Sequence, residues 1–168
     1  MKTEFSLEVF FERDEDQEFA KKETRKLCQL VSELAPHIEL RTKIQKASKI
    51  HRKFTHEGRI YYVLNHEPIE EGSQTLVITN EDIDIEVEGQ AGPERGCLSK
   101  QGMESKTRKG GNSAEITIHE WLHTIAGKPI NGRTIPDPDC KEGLRFRKKG
   151  PDGEPQWLDW YRYMLRAE

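Results

Sequence analysis

Two histidines four residues apart, with a glutamate directly after the first, stand in the segment ITIHEWLHTIAG at residues 116–127. On a helix, positions i and i+4 share a face, and a rise of about 1.5 Å per residue separates His119 from His123 by about 6 Å along the axis. Two imidazoles at that spacing can reach one cation, and zinc takes such nitrogens at about 2.0–2.1 Å. Glu120 occupies the adjoining position, from which a carboxylate can reach a metal-bound water without ligating the ion. The spacing therefore predicts a metal site on the helix, with His119 and His123 able to hold one zinc ion and Glu120 within reach of a water on it. The competing explanation is a chance pair of helical histidines. Context argues against it: Ile118, Leu122 and Ile125 offer a core-facing stripe, Asn112 or Ser113 a cap before it, and Gly127 a left-handed stop after it.

A hydrolytic zinc site takes three protein ligands and keeps a position open for water. The candidates for the third are Asp137, Asp139, Cys140 and Glu142, all within PDPDCKEG. Asp139 leads them, because Pro136 and Pro138 restrict the backbone on either side of Asp137 and Gly127 lets the chain turn back toward the helix. Beside proline, either aspartate is also an ordinary turn former, and Cys140 would point to a closed structural site. Glu115 can cap the helix or hydrogen-bond a ligand histidine. His37, His51, His56 and His66 fall in strand-like or loop-like segments and read as surface or hydrogen-bonded residues.

The elements that must position these groups follow from hydrophobic period. Phe5, Leu7, Val9 and Phe11 alternate with Glu4, Ser6, Glu8 and Phe10, which predicts a strand with one face buried. From Asp14 to Leu34, Phe19, Leu27, Leu30, Val31 and Leu34 recur at helical steps, and Pro36 follows the end of that helix. His37 to Leu64 reads as two or three strands, with a hairpin turning at HEGR. Leu76, Val77 and Ile78 predict a short buried strand, and residues 89–112 a Gly-rich, charged surface loop around an edge strand at Cys97 and Leu98. Five of the eight prolines fall in residues 128–156, which predicts a long, stiff, shaped loop. The chain then closes on a helix whose Trp157, Trp160, Tyr161, Met164 and Leu165 share one face.

At 168 residues the expectation is a single domain over 1–168 with room for a sizeable core. Hydrophobic residues are 33% and charged residues 34%, a mixture that stays disordered when apolar positions are scattered; here they form periodic runs. Lys and Arg number 27 against 30 Asp and Glu, so the excess of cations that phosphate contacts demand is missing and a nucleic-acid partner is not expected. Arg41, Lys43, Lys46, Lys49, Arg52 and Lys53 run without an acid between them, which reads as a solvated strand face. No apolar run approaches the roughly 20 residues of a membrane span, and the opening MKTEFSLEVFFERDED lacks the pattern of a secretory leader. Three widely spaced cysteines, Cys28, Cys97 and Cys140, do not make a disulfide framework, so the expected compartment is the cytoplasm.

HEWLHTIAG resembles the active-site helix of zincin metallopeptidases. The order strand (LVITN), Gly-rich segment with a short strand (GCLS), active helix and glycine turn is similar to the metzincin layout over residues 74–139, as is the closing WLDWYRYML helix to the last helix of small zincin-like domains. The resemblance implies an α+β fold, a small zincin-like domain with a mixed β-sheet, an active-site helix and a C-terminal helix. It implies a Zn2+-dependent peptidase acting on a peptide or protein substrate, with His119 and His123 as ligands, Glu120 as base and an edge strand near Cys97 and Leu98 receiving extended peptide. Tyr161 or Tyr163 on the last helix could supply a hydroxyl to a developing oxyanion. A catalytically silent zincin-like module that binds a peptide or partner protein is the alternative; the presence of Glu120 favours activity, because binding has no need of a general base. Where the metzincin pattern has a glycine and then a third ligand, Ala126 and Pro129 stand instead, and neither Met103 nor Met164 is placed to form a Met-turn.

Overall fold

The alternation at the N-terminus builds β1 (Thr3–Phe11), the strand around which the rest is arranged. Phe5, Leu7, Val9 and Phe11 enter the main core, and Glu8 and Phe10 are buried on the opposite face, so both sides of this strand are covered. In a computed structural model, residues 2–47, 50–56, 59–64, 74–79, 89–92, 95–99, 103, 113–140 and 157–167 are described.

Strands β2 (Ile38–Lys46) and β5 (Gln74–Thr79) flank β1, both parallel to it, and β7 (Arg95–Ser99) pairs parallel with β5. The short β6 (Gly89–Gly92) closes the sheet antiparallel to β7, giving the order β2-β1-β5-β7-β6. Leu76, Val77 and Ile78 are all buried, as expected for a strand covered on both faces. Two further strands, β3 (Ile50–His56) and β4 (Arg59–Leu64), form a separate antiparallel hairpin whose register shifts between His51 and Phe54. The stretch 37–64 thus holds three strands, one in the main sheet and two in the predicted hairpin. Along β2, Arg41, Lys43 and Lys46 are at least partly exposed.

Parallel neighbours require a crossover, and helix α1 (Gln17–Leu34) supplies it between β1 and β2, entered through a 3-10 turn at Asp14–Asp16. Its buried positions Ala20, Thr24, Leu27, Val31 and Leu34 keep three- and four-residue steps and face the sheet. Each fully buried Leu or Val removes apolar surface from water at a gain of about 1.5–3 kcal/mol. Glu23 is buried beside them, accepting from the Thr117 hydroxyl at 3.3 Å and lying 3.6 Å from Lys26 Nζ. That contact joins α1 to α2 (Ser113–Ile125), the helix that carries the two histidines. Ile118, Trp121, Leu122 and Ile125 of α2 are fully buried, and Trp121 meets Phe5 of β1 edge to face at 6.2 Å. Asn112, the alternative cap, lies outside the described residues.

The last helix, α3 (Trp157–Met164), buries Trp160, Tyr161 and Met164, with Leu165 just beyond it. Its C-terminal carbonyls are held by two basic side chains. Arg133 donates to Met164 O and, at 2.8 Å, to Arg166 O, and His37 Nε2 bonds Leu165 O. Among the described residues no helix is long and apolar enough to cross a membrane.

Two segments differ from the sequence reading. Within 89–112 the strand at Cys97 and Leu98 is not the edge: β7 lies inside the sheet, Leu98 is buried, and β6 takes the outer position. GQAG has weak strand propensity, and pairing with β7 overrides it. Within 128–156 the chain makes a small hairpin, β8 (Pro129–Ile130) and β9 (Arg133–Thr134). Asn131 and Gly132 turn it with φ of 47° and 83°, the paired positive angles of a type I′ turn. Residues 141–156 of that predicted loop lie outside the described residues.

Gly127 starts this excursion at φ 87°, its N–H donating to Ile135 O at 2.9 Å while Ile135 N–H donates to Lys128 O at 3.0 Å. A Cβ at Gly127 would meet nothing within 4 Å, so the cost of Gly127→Ala is the left-handed backbone alone. That substitution is expected to destabilise the fold by about 1 kcal/mol, read as a lower urea midpoint with an unchanged slope.

Candidate metal centre

Helix α2 faces two ways. The stripe of Ile118, Trp121, Leu122 and Ile125 locks its rotation against the sheet and α1, and this leaves His119 and His123 on the adjoining face with side chains 14% and 10% exposed. The two rings lie 4.8 Å apart and nearly perpendicular, and both turn Nε2 inward, with Nε2 to Nε2 at 3.1 Å. Glu120 between them is buried.

Asp139 reaches the pair from a β-turn. Helix α2 ends, Gly127 reverses the chain, and the β8–β9 hairpin returns it at Ile135. Residues 137–140 then close on themselves, with Cys140 N–H donating to Asp137 O at 3.1 Å. Pro138 sits at the second place of this turn, where its preset φ is favoured, and it is buried. Among the described residues Asn131 alone of the non-glycines has positive φ, so Asp139 has the negative φ that a type I turn requires at its third place. The result sets Asp139 Oδ1 3.3 Å from His119 Nε2 and Asp139 Oδ2 3.0 Å from His123 Nε2.

His119, His123 and Asp139 thus come together, each offering a ligand atom, with those atoms within 4.8 Å of one another. Zinc bonds of about 2.0–2.1 Å in a tetrahedron imply donor-to-donor edges of about 3.4 Å. The observed contacts of 3.1, 3.3 and 3.0 Å are close to that value, so the donor set fits a small divalent cation in both chemistry and spacing. Of the other candidates for third donor, Asp137 lies behind His123, Cys140 packs half-buried against the core, and Glu142 is outside the described residues.

Behind each imidazole stands a second group. His119 Nδ1 is 2.8 Å from the Tyr161 hydroxyl, and His123 Nδ1 is 3.2 Å from Asp137 Oδ2. An ionised carboxylate only accepts, so Asp137 favours a proton on His123 Nδ1, the tautomer that leaves the Nε2 lone pair for a cation, while Asp139 at 3.0 Å from Nε2 favours the other. Partners of this kind orient ligand rings and raise their basicity. Tyr161 is fully buried with its hydroxyl on His119, and Tyr163 is 45% exposed, stacked on Trp160 and covered by the Arg166 guanidinium. Tyr161 thus packs inside the last helix's apolar face, as aromatic residues commonly do, with its hydroxyl on His119. Its signal in the sequence is a tyrosine on an otherwise apolar helix face, whose buried hydroxyl must find a partner.

Charge at the centre is finely opposed. Burial, the largest single influence, pulls the His123 pKa down, but the hydrogen bond to Asp139 and the negative charges of Glu120, Asp137 and Asp139 together raise it above the ordinary 6.5. Hydrogen bonds from His119 and then His123 hold the Asp139 carboxyl well below the usual carboxylate range, against the opposing effect of burial.

By sequence, no family model and no curated protein matches the chain. By structure it is similar to archaemetzincin from Methanopyrus kandleri, with a TM-score of 0.53 at 13% identity over 96% of this chain and 96% of that one. The fold is zincin-like. At that identity the likeness describes the arrangement of sheet and helices. The departures stand within it: the turn glycine is Gly127, with Ala126 in the place the metzincin pattern gives to glycine, and the acid converging on the histidines is Asp139, not a residue at 129.

A proton and a cation compete for His123 Nε2, and the raised pKa lets the proton win at higher pH than on a free imidazole. Affinity for zinc or cobalt, measured by competition titration between about pH 5 and 8, is therefore expected to fall as the pH is lowered. The decline should begin above 6.5 and reach at least roughly tenfold per pH unit. Affinity independent of pH would remove the histidines from the ligand set.

Proposed function

We propose that this chain is a zinc-dependent peptidase, with residues 1–168 as one catalytic domain, His119, His123 and Asp139 as the zinc ligands and Glu120 as general base. The observation that carries the reading is the convergence of His119 Nε2, His123 Nε2 and the Asp139 carboxylate beside a buried glutamate on the same helix. The zincin-like fold supports it, and the likeness over 96% of each chain supports treating the whole chain as one such domain.

A bound zinc ion supplies Lewis acidity, polarising a carbonyl and lowering the pKa of a water ligand to about 7. The protein's own groups do the rest. Glu120, one position along the helix from His119, takes a proton from the attacking water and returns it to the departing amine, so peptide hydrolysis proceeds without a covalent enzyme intermediate. Burial of Glu120 strengthens its interaction with developing positive charge and keeps bulk water from competing for that proton. Tyr161 and Asp137 hold the imidazoles so that both Nε2 lone pairs stay aimed at one point.

Extended peptide is best received along β6, which packs against α2 and forms the outer strand of the sheet. Strand addition there gives main-chain hydrogen bonds over Gly89–Gly92, where a near absence of bulky side chains lets a second backbone approach. This moves the docking strand outward from the Cys97–Leu98 position expected from the sequence.

Glu120→Gln separates the peptidase from the silent module. About one equivalent of zinc is expected in both the parent and the variant, with cleavage of an unstructured protein substrate lowered by at least roughly 100-fold in the variant. Zinc in both with cleavage in neither would select a binding module. Absence of zinc from the parent would overturn the metal reading itself.

A further inference from the structure

Asp137, a rival for the third ligand position, stands behind His123 instead of joining the donors. We infer that Asp137 is a positioning residue that couples two of the three metal donors through one carboxylate. The inference rests on the zinc-site reading. Asp137 Oδ2 lies 3.2 Å from His123 Nδ1, and Asp137 Oδ1 accepts from Asp139 N–H at 2.8 Å. The same residue's carbonyl accepts from Cys140 N–H at 3.1 Å, which closes the turn.

These bonds act on different degrees of freedom. The bond to Asp139 N–H is an Asx turn, which sets the backbone direction from which the Asp139 side chain leaves. The bond to His123 Nδ1 shifts the tautomer balance toward Nδ1–H and restrains the rotation of that ring about its χ2 torsion. Because one planar carboxylate makes both, the ring and the turn cannot rotate independently: displacing the turn pulls on the imidazole. Proline on each side of Asp137 reduces the backbone freedom that would otherwise blur this coupling, and Pro138 is itself buried. Asp137 is 53% exposed, so its charge is screened and its main effect is geometric, the alignment of His123 Nε2 with Asp139 at 3.0 Å.

Three substitutions separate these effects. Asp137→Ala removes both side-chain bonds. Asp137→Ser keeps a short acceptor for Asp139 N–H but cannot reach the imidazole. Asp137→Asn keeps the shape with a single acceptor oxygen. Zinc affinity is expected to fall by about 10- to 100-fold in the alanine variant, with smaller losses in the serine and asparagine variants. The absorption spectrum of the cobalt-substituted protein should change with it, and the melting temperature of metal-free protein should not, because the residue is exposed. Imidazole nitrogen chemical shifts of metal-free protein at about pH 9 give a readout independent of metal. Asp139 beside Nε2 favours one tautomer of His123 and Asp137 beside Nδ1 the other, so the Nδ1–H fraction should be lower in the alanine and serine variants than in the parent. Unchanged affinity, cobalt spectrum and tautomer in all three would overturn the inference. So would a loss of affinity that tracks a fall in metal-free melting temperature with an unchanged tautomer, since that describes a turn residue only. A parent that binds no zinc yet shows the Asp137-dependent tautomer would refute the peptidase reading and leave the coupling intact.

Discussion

Three electron-pair donors held about 3 Å apart repel one another unless positive charge stands between them. That constraint governs the centre of this protein. His119 Nε2, His123 Nε2 and Asp139 form such a cluster, and a proton on an imidazole relieves the repulsion in part: hydrogen bonds from His119 and His123 hold the Asp139 carboxyl well below the usual carboxylate range, and against burial the bond to Asp139 raises the His123 pKa. A divalent cation relieves it more fully, because it accepts all three pairs at once.

Holding such a cluster requires rigidity from outside it. The buried stripe of α2 fixes the helix against β1 through contacts such as Phe5 with Trp121, and the Thr117–Glu23 bond ties it to α1. From the other side, α3 brings Tyr161 to His119, while Arg133 and His37 hold the carbonyls at the end of α3. Arg133 belongs to the hairpin that delivers Asp139, so the support of the first histidine and the arrival of the carboxylate share one small piece of backbone. The sheet contributes differently: β6, its outer strand among the described residues, lies against α2, the helix that carries the donors.

The legibility of these parts in the sequence followed the range of the forces behind them. Helix α1, helix α2 and strand β1 were readable because a repeating apolar period records burial on one face, and His119, Glu120 and His123 were readable because helical spacing alone puts them side by side. Asn131–Gly132 carried a hairpin signal that a general reading of the region as a proline-rich loop obscured. Strand β6 carried almost none, since GQAG becomes a strand only by pairing with β7. The role of Tyr161 depended on which partner its buried hydroxyl meets, 42 residues away in the chain.

By itself the sequence determined the local geometry: the two imidazoles and the acid on one helix, the stop at Gly127, and the Asp-Pro-Asp turn with its built-in preference for proline at the second place. Each depends on backbone torsions over a few residues. Only the tertiary structure decided that Asp139 faces the histidines while Asp137 stands behind one of them, that β6 is the outer strand among the described residues, and that the Tyr161 hydroxyl meets His119. Those outcomes depend on how a hairpin, a sheet and a distant helix pack together, and no local torsional preference contains that information.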